Sequence, residues 1–267
     1  MKSILTSLRT TWKRSGFKFK TCSRNLRSLP YYRSTWRELR RQAEQSLVPF
    51  HFGPIRPILE DRFAQAGVAG GHYFHQDLHV ARRVYEDSPE KHIDVGSRVD
   101  GFVAHVASFR PIEAIDVRPL SCDIPNMKFL CADVMDDLPS ELVESTESLS
   151  SLHAIEHFGL GRYGDPVNFD GHHIGLRNMT RMLTPGGKFY LSTPIGREQR
   201  IEFNAHRVFS LPCLREHLEQ DFEIRSLAYV DDAGQLHTDV ALDAPQVDDT
   251  FNIRNGCGIL EMMRKAA

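Results

Sequence analysis

The sequence predicts an α/β protein built on a mainly parallel, seven-stranded sheet, with helices on both faces and an antiparallel hairpin at one edge. Three observations carry this. After residue 90, strand-like and helix-like segments alternate. A glycine, Gly96, directly follows the first strand. The last two strand-like segments, 222–230 and 257–263, have no helical segment between them.

Length and composition fit such a fold. The chain has 267 residues, 41% hydrophobic and 25% charged, which excludes a wholly disordered chain and allows a sizeable core. No apolar run reaches the roughly 18 residues of a membrane-spanning helix. Five scattered cysteines, Cys22, Cys122, Cys131, Cys213 and Cys257, form neither a disulfide framework nor a CxxC zinc pattern. They read as reduced thiols of a cytoplasmic protein.

Charge divides the chain. Residues 1–42 hold twelve Lys/Arg and one acid, Glu38. The net charge of −2 thus conceals a strongly basic arm on an acidic body. Such an arm invites an anionic surface: lipid, nucleic acid or the body itself. Ile4, Leu5, Leu8 and Trp12 fit one face of an interfacial helix, which would place the protein at the periphery of a membrane. A flexible or loosely docked arm fits equally well. No apolar segment follows Lys2, so the arm is not a secretory signal. Residues 43–74, with Pro49, Pro54, Pro57, Gly67, Gly70 and Gly71, read as a linker or cap. The α/β domain is expected over 75–267.

Within that domain, Leu78, Ala81 and Tyr85 mark a helix that Pro89 ends. Strands follow at 91–95, 112–117, 127–132, 147–154 and 188–193. Val99, Val103 and Val106 predict a helix after the first strand, and Leu176, Met179 and Leu183 another that Pro185-Gly186-Gly187 stops. Ser210 is a candidate N-cap with Pro212 in the first turn.

In such sheets ligands bind beyond the carboxyl ends of the strands. The first strand ends in Asp94-Val-Gly96-Ser-Arg98. Arg98 stands where a dinucleotide-binding glycine motif needs its second glycine, which argues against NAD or FAD. Asp116 ends the second strand, 20 residues after Gly96, where an acid can accept hydrogen bonds from ribose hydroxyls. Asp133 and Val134 end the third. His153, Glu156 and His157 end the fourth in an H-x-x-E-H pattern. A zinc site would need that pattern on a helix, and a strand end does not supply one, so no metal is expected. A polar loop, 159–171, follows, and is long enough for a lid. His206 lies beyond the fifth strand, in the polar cluster Glu202-Phe-Asn204-Ala-His206-Arg207, and is a candidate general base.

The order of these features resembles the class I S-adenosylmethionine-dependent methyltransferases, most specifically in Leu183-Thr-Pro-Gly-Gly-Lys-Phe-Tyr-Leu. Within that superfamily, Tyr73-Phe-His-Gln-Asp77, Ser150-Ser-Leu-His-Ala-Ile-Glu-His-Phe-Gly-Leu-Gly-Arg-Tyr-Gly-Asp-Pro166 and Phe203-Asn-Ala-His-Arg-Val-Phe209 resemble an uncharacterised domain family. Some of its members are associated with surface-polysaccharide genes. The resemblance covers about residues 75–265 and implies a Rossmann-like fold with S-adenosylmethionine as cofactor. It implies Asp94 among the cofactor-binding residues, Gly96 under the methionine moiety, Asp116 on the ribose, and Asp133 and Val134 on the adenine. Arg98 either crowds the methionine moiety or contacts its carboxylate. His153, His157 or His206 would act as base, helped by Glu156 or Glu202, on a small polar or glycosyl substrate. Loop 159–171 and segment 70–77 would close the pocket. A non-catalytic protein of the same fold, binding a nucleotide or a protein partner, is the alternative that Arg98 favours.

Overall fold

The computed structural model describes residues 19–48 and 50–266. The Ile4–Trp12 helix expected from the sequence lies outside them. The chain divides between Val68 and Ala69 into two compact units.

In the N-terminal unit, α1 (Phe19–Ala43) is one long helix, followed by irregular chain with a single 3-10 turn at Asp61–Phe63. Among the described residues of this unit only Ser28 is buried, its hydroxyl donating to the Leu59 carbonyl at 2.7 Å.

The C-terminal unit opens with α2 (His72–Asp87), which ends at Ser88 in left-handed geometry. Its sheet takes β1 (His92–Val95), β2 (Ile112–Asp116), β3 (Met127–Cys131), β4 (Thr146–Leu152) and β5 (Leu183–Ile195) in the order β3-β2-β1-β4-β5, all parallel. The short helix α3 (Ala104–Ala107) follows β1, and α4 (Gly171–Met182) precedes β5. After β5 come a small antiparallel ribbon, β6 (Arg200–Glu202) with β7 (His206–Val208), then α5 (Leu211–Leu218), β8 (Phe222–Val230), β9 (Leu236–His237) and β10 (Gly256–Arg264). Ser210 caps α5, its hydroxyl accepting from the Cys213 amide.

Two expectations need correction. The main sheet has eight strands, because the two-residue β9 pairs with the end of β8. A pair that short leaves too few residues to show a period-two pattern. The expected antiparallel hairpin is present as β8 with β10, but β10 is not an edge strand. β10 is wedged between β5 and β8 and runs against both. It is buried over its first seven residues, as an inner strand should be.

Two helix boundaries also shift. Val99–Val103 form a π turn rather than an α-helix. Gly101 leaves helical geometry there and packs so closely on Asp77 that a Cβ at this position would overlap its carboxylate. Helix α4 ends at Met182, and Pro185-Gly186-Gly187 lie just beyond it, inside β5, where the pairing slips between Thr146↔Leu183 and Ser148↔Lys188. A bulge absorbs the residues that cannot sit in a regular ladder.

The sheet separates two cores. Phe189 and Leu191 of β5 point to one face with Met179, Met182, Leu211 and Leu214. Tyr190 points to the other with Val80, Val84, Phe102 and Val106. This alternation follows from the two-residue period of a strand. It also places the carboxyl ends of β1, β2, β3, β4 and β5 along one edge, where the site is built.

Candidate functional site

A cavity of about 1220 Å3 opens at this edge. Its floor is the β1 turn. Gly96 has φ +74°, and a Cβ there would lie 2.8 Å from the Cβ of Ala154. Only glycine meets both demands without strain, so backbone can line the cavity where a side chain would intrude.

Asp116 lies at the end of β2 and lines the cavity. Arg118 occupies it. The Arg118 amide donates to Oδ1 at 2.8 Å, and its guanidinium spans both oxygens at 2.9 and 2.7 Å. The same guanidinium lies 4.5 Å from the ring centre of Tyr163 in loop 159–171. Asp116 in turn holds the Arg118 pKa above its ordinary value. Asp133 also lines the cavity, accepting from the Met135 amide at 2.8 Å. Burial raises its pKa. Val134 beside it is buried.

Asp94 lies beneath the β1 turn. It does not line the cavity. It is fully buried and accepts from the hydroxyls of Ser97 and Ser150, both at 2.6 Å, and from the Ser97 amide at 3.1 Å. Ser150 also meets the buried His92, which contacts Ser148 on its other nitrogen. Burial pushes the Asp94 pKa up to about 7 against these hydrogen bonds, and pushes His92 down to about 3. Asp94 therefore pins the glycine turn to β4 from below.

Arg98 lines the cavity but turns sideways. It pairs with Asp100 at 2.8 Å and lies 4.9 Å from the ring centre of Tyr73. The guanidinium is thus held at the rim.

The imidazoles gather opposite Asp116. His153 ends β4 with φ +51° and is buried. That left-handed geometry is uncommon outside glycine. It turns the ring so that Nδ1 meets Glu156 Oε1 at 2.9 Å. Glu156 Oε1 also lies 3.7 Å from His157 Nε2. The Nε2 of His153 and Oε2 of Glu156 are buried without a hydrogen-bond partner. Burial disfavours a charged His153, but Cys257 and Glu156 outweigh it and hold the pKa well above the ordinary value. His72 stacks on the His153 ring at 5.4 Å, and Tyr73 packs at 5.2 Å. Burial, aided by the neighbouring His153, lowers the His72 pKa to about 4.

His157 Nδ1 meets the Ala205 carbonyl at 2.8 Å, and burial lowers its pKa. Its ring lies between Tyr163 at 5.5 Å and His206 at 6.4 Å. His206 Nε2 is 3.6 Å from Glu202 and has no hydrogen bond. Asp165 folds loop 159–171, accepting from the amides of Gly159, Gly161 and Tyr163 at 3.0, 3.2 and 3.1 Å.

One cavity therefore gathers Gly96, Arg98, Asp116, Asp133, Val134, His153, Glu156, His157 and His206. It leaves out Asp94 and Glu202 among the candidates. Loop 159–171 contributes Arg162 and Tyr163, and segment 70–77 contributes His72 and Tyr73. Arg118 and Asn255 were not singled out in the sequence. Arg118 follows Asp116 by two residues, a short acid–base spacing that offered a clue. Asn255 offered none. Among the described residues no cluster of three or more His, Cys, Asp or Glu could hold a metal ion.

A family model described as "Caenorhabditis protein of unknown function, DUF268" matches residues 133–226. No curated protein matches the chain in sequence. Among solved structures, the [4+2]-cyclase SpnF superposes with a TM-score of 0.51 at 14% identity, covering 75% of this chain and 89% of its own. The N-methyltransferase NodS of Bradyrhizobium japonicum WM9, in complex with S-adenosyl-L-homocysteine, superposes at 0.49 with 12% identity, covering 73% and 89%. The chain shares a Rossmann-like α/β fold with SpnF.

Proposed function

We propose that the cavity binds S-adenosylmethionine and that the protein transfers a methyl group to a small polar or glycosyl acceptor. The observation that carries this reading is the convergence of two kinds of group on one cavity. A glycine-floored turn and strand-end acids line one side, and a buried His–Glu dyad lines the other.

The residues fit the cofactor. Gly96 leaves room for its methionine end, Asp116 can accept from the ribose hydroxyls, and Asp133 with Val134 can flank the adenine. The ribose interaction requires Arg118 to give up at least one oxygen of Asp116. The bound cofactor supplies an electrophilic methyl group on a sulfonium centre. The protein's part is to position the acceptor and take its proton. His153 suits that role. Glu156 holds Nδ1, which leaves Nε2 as the nitrogen without a hydrogen-bond partner. His72 and Tyr73 pack on the same ring, so segment 70–77 has to shift for an acceptor to reach it. His157 and His206 line the acceptor side, with Glu202 near His206.

A second reading is favoured by Arg118. With Asp116 saturated, the same fold would serve as a non-catalytic module that binds a nucleotide or a protein partner. A thermal shift with S-adenosylhomocysteine tests the cofactor assignment, and methyl release from S-adenosylmethionine in the presence of acceptor separates the two. Methyl transfer requires a raised midpoint, by mass action on the native state, and loss of that shift in Asp116→Ala. No shift in the parent protein rejects the cofactor assignment. An equal shift in both proteins rejects Asp116 as the ribose acceptor.

A further inference from the structure

We propose that the N-terminal unit is a docking surface for an anionic lipid bilayer. Two observations on separate stretches of this unit point to the same occupant.

The first is apolar surface without a core. Between residues 47 and 58, Leu47, Val48, Phe50, Phe52, Ile55 and Ile58 are all exposed. Leu47 is fully so, at 101%, and Phe50 at 87%. The segment has no regular secondary structure and is interrupted by Pro54 and Pro57. Scattered exposed hydrophobics are ordinary, but six in one short segment are not. Water is a poor solvent for that surface, and some apolar phase would relieve the cost.

The second is the charge beside it. Helix α1 carries seven basic residues and one acid. Arg33, Arg37, Arg40 and Arg41 fall at i, i+4, i+7 and i+8, which is one helical face. All four are exposed. One of them, Arg41, is paired with Glu38 at 2.7 Å.

A basic face next to an apolar segment matches the boundary between anionic headgroups and acyl chains. A nucleic acid would satisfy the arginines but not the aliphatic side chains of Leu47, Val48, Ile55 and Ile58, which offer no flat face for base stacking. No described helix is long and apolar enough to cross a membrane, so the mode of attachment is interfacial.

The test is flotation of the full-length protein with two kinds of vesicle, phosphatidylcholine alone and phosphatidylcholine mixed with phosphatidylserine. The protein should float with the mixed vesicles and not with the neutral ones, and added salt should release it. The variant Phe50→Ser/Ile55→Ser/Ile58→Ser should lose roughly tenfold in partitioning, and Arg33→Glu/Arg37→Glu/Arg40→Glu at least as much. These side chains are exposed, so the thermal midpoint of each variant should equal that of the parent. Three results would overturn the proposal: no flotation with mixed vesicles, equal flotation of the apolar variant and the parent, or retention of single-stranded RNA without vesicle binding.

Discussion

Arg118 sets a condition on the chemistry of Asp116. A carboxylate whose two oxygens already accept three N–H groups has little left for a ribose diol. The ion pair is half exposed on the arginine side, so breaking it costs little in stability. Removing the guanidinium should free the acceptor. Arg118→Ala is expected to bind S-adenosylhomocysteine about 3- to 10-fold more tightly in calorimetry, the size of a partly screened charge-assisted pair. Weaker binding would instead make Arg118 a contact of the ligand.

The buried dyad fixes a pH dependence. Cys257 and Glu156 raise the His153 pKa above 6.5 despite burial. The ring must be neutral to accept a proton, so turnover should rise with pH through a midpoint above 6.5. Glu156→Gln removes part of the raising charge, and the rising limb should move to lower pH. The maximal rate should fall about 100-fold or more as the base loses its orientation. A pH profile unchanged by Glu156→Gln would remove His153 from the proton path. The raised pKa also has a stability consequence. The charged ring's contribution is fully present below about 6.5 and is lost as pH rises through the folded value.

At the scale of elements, loop 159–171 is tied from within by Asp165 and from outside by Arg207, which donates to the Phe158 and Phe169 carbonyls. Asp165 accepts from three backbone amides, and losing it strands buried donors. Asp165→Ala should cost roughly 1–3 kcal/mol and expose the loop to limited proteolysis, while the far core around Phe102 and Val106 keeps its hydrogen-exchange protection. Uniform loss of protection would show that the loop is part of the global core.

The same elements show what was readable in the sequence. The parallel strands announced themselves by length, β-branched content and the residues that follow them. The π turn at Val99–Val103 did not. The spacing of Val99, Val103 and Val106 is helical, and the departure at Gly101, packed on Asp77, leaves no mark in that spacing. The surroundings of Asp94 were hidden for a related reason. An acid near a strand end looks like a ligand-binding group, and nothing local reveals that hydroxyls of Ser97 and Ser150 draw it inward. The Pro-Gly-Gly turn was visible as a break, but a bulge inside a strand and a stop after a helix use the same residues.

At the scale of the molecule, both hydrophobic cores draw on residues from Val80 onward. Deleting residues 1–68 should therefore leave the thermal midpoint of the α/β unit unchanged within about 2 °C, the resolution at which a fraction of a kcal/mol registers in a domain of this size. A truncated protein that aggregates would show that the N-terminal unit covers part of the other. The strand order was only partly legible, because pairing across the sheet is a non-local property. That β10 enters between β5 and β8 is set by burial of its whole inner stretch, which a period-two pattern alone does not display.

The central claim is that the β1 turn and the His–Glu dyad face one bound cofactor. The most direct measurement is a crystal structure of the full chain with S-adenosylhomocysteine. The account predicts the ribose on Asp116, Arg118 displaced from at least one of its oxygens, and the ligand's sulfur close enough to His153 for a reacting group to sit between them. Base catalysis needs hydrogen-bond reach, directly or through one water. A ligand bound elsewhere, or a sulfur more than about 10 Å from His153, His157 and His206 alike, would contradict it.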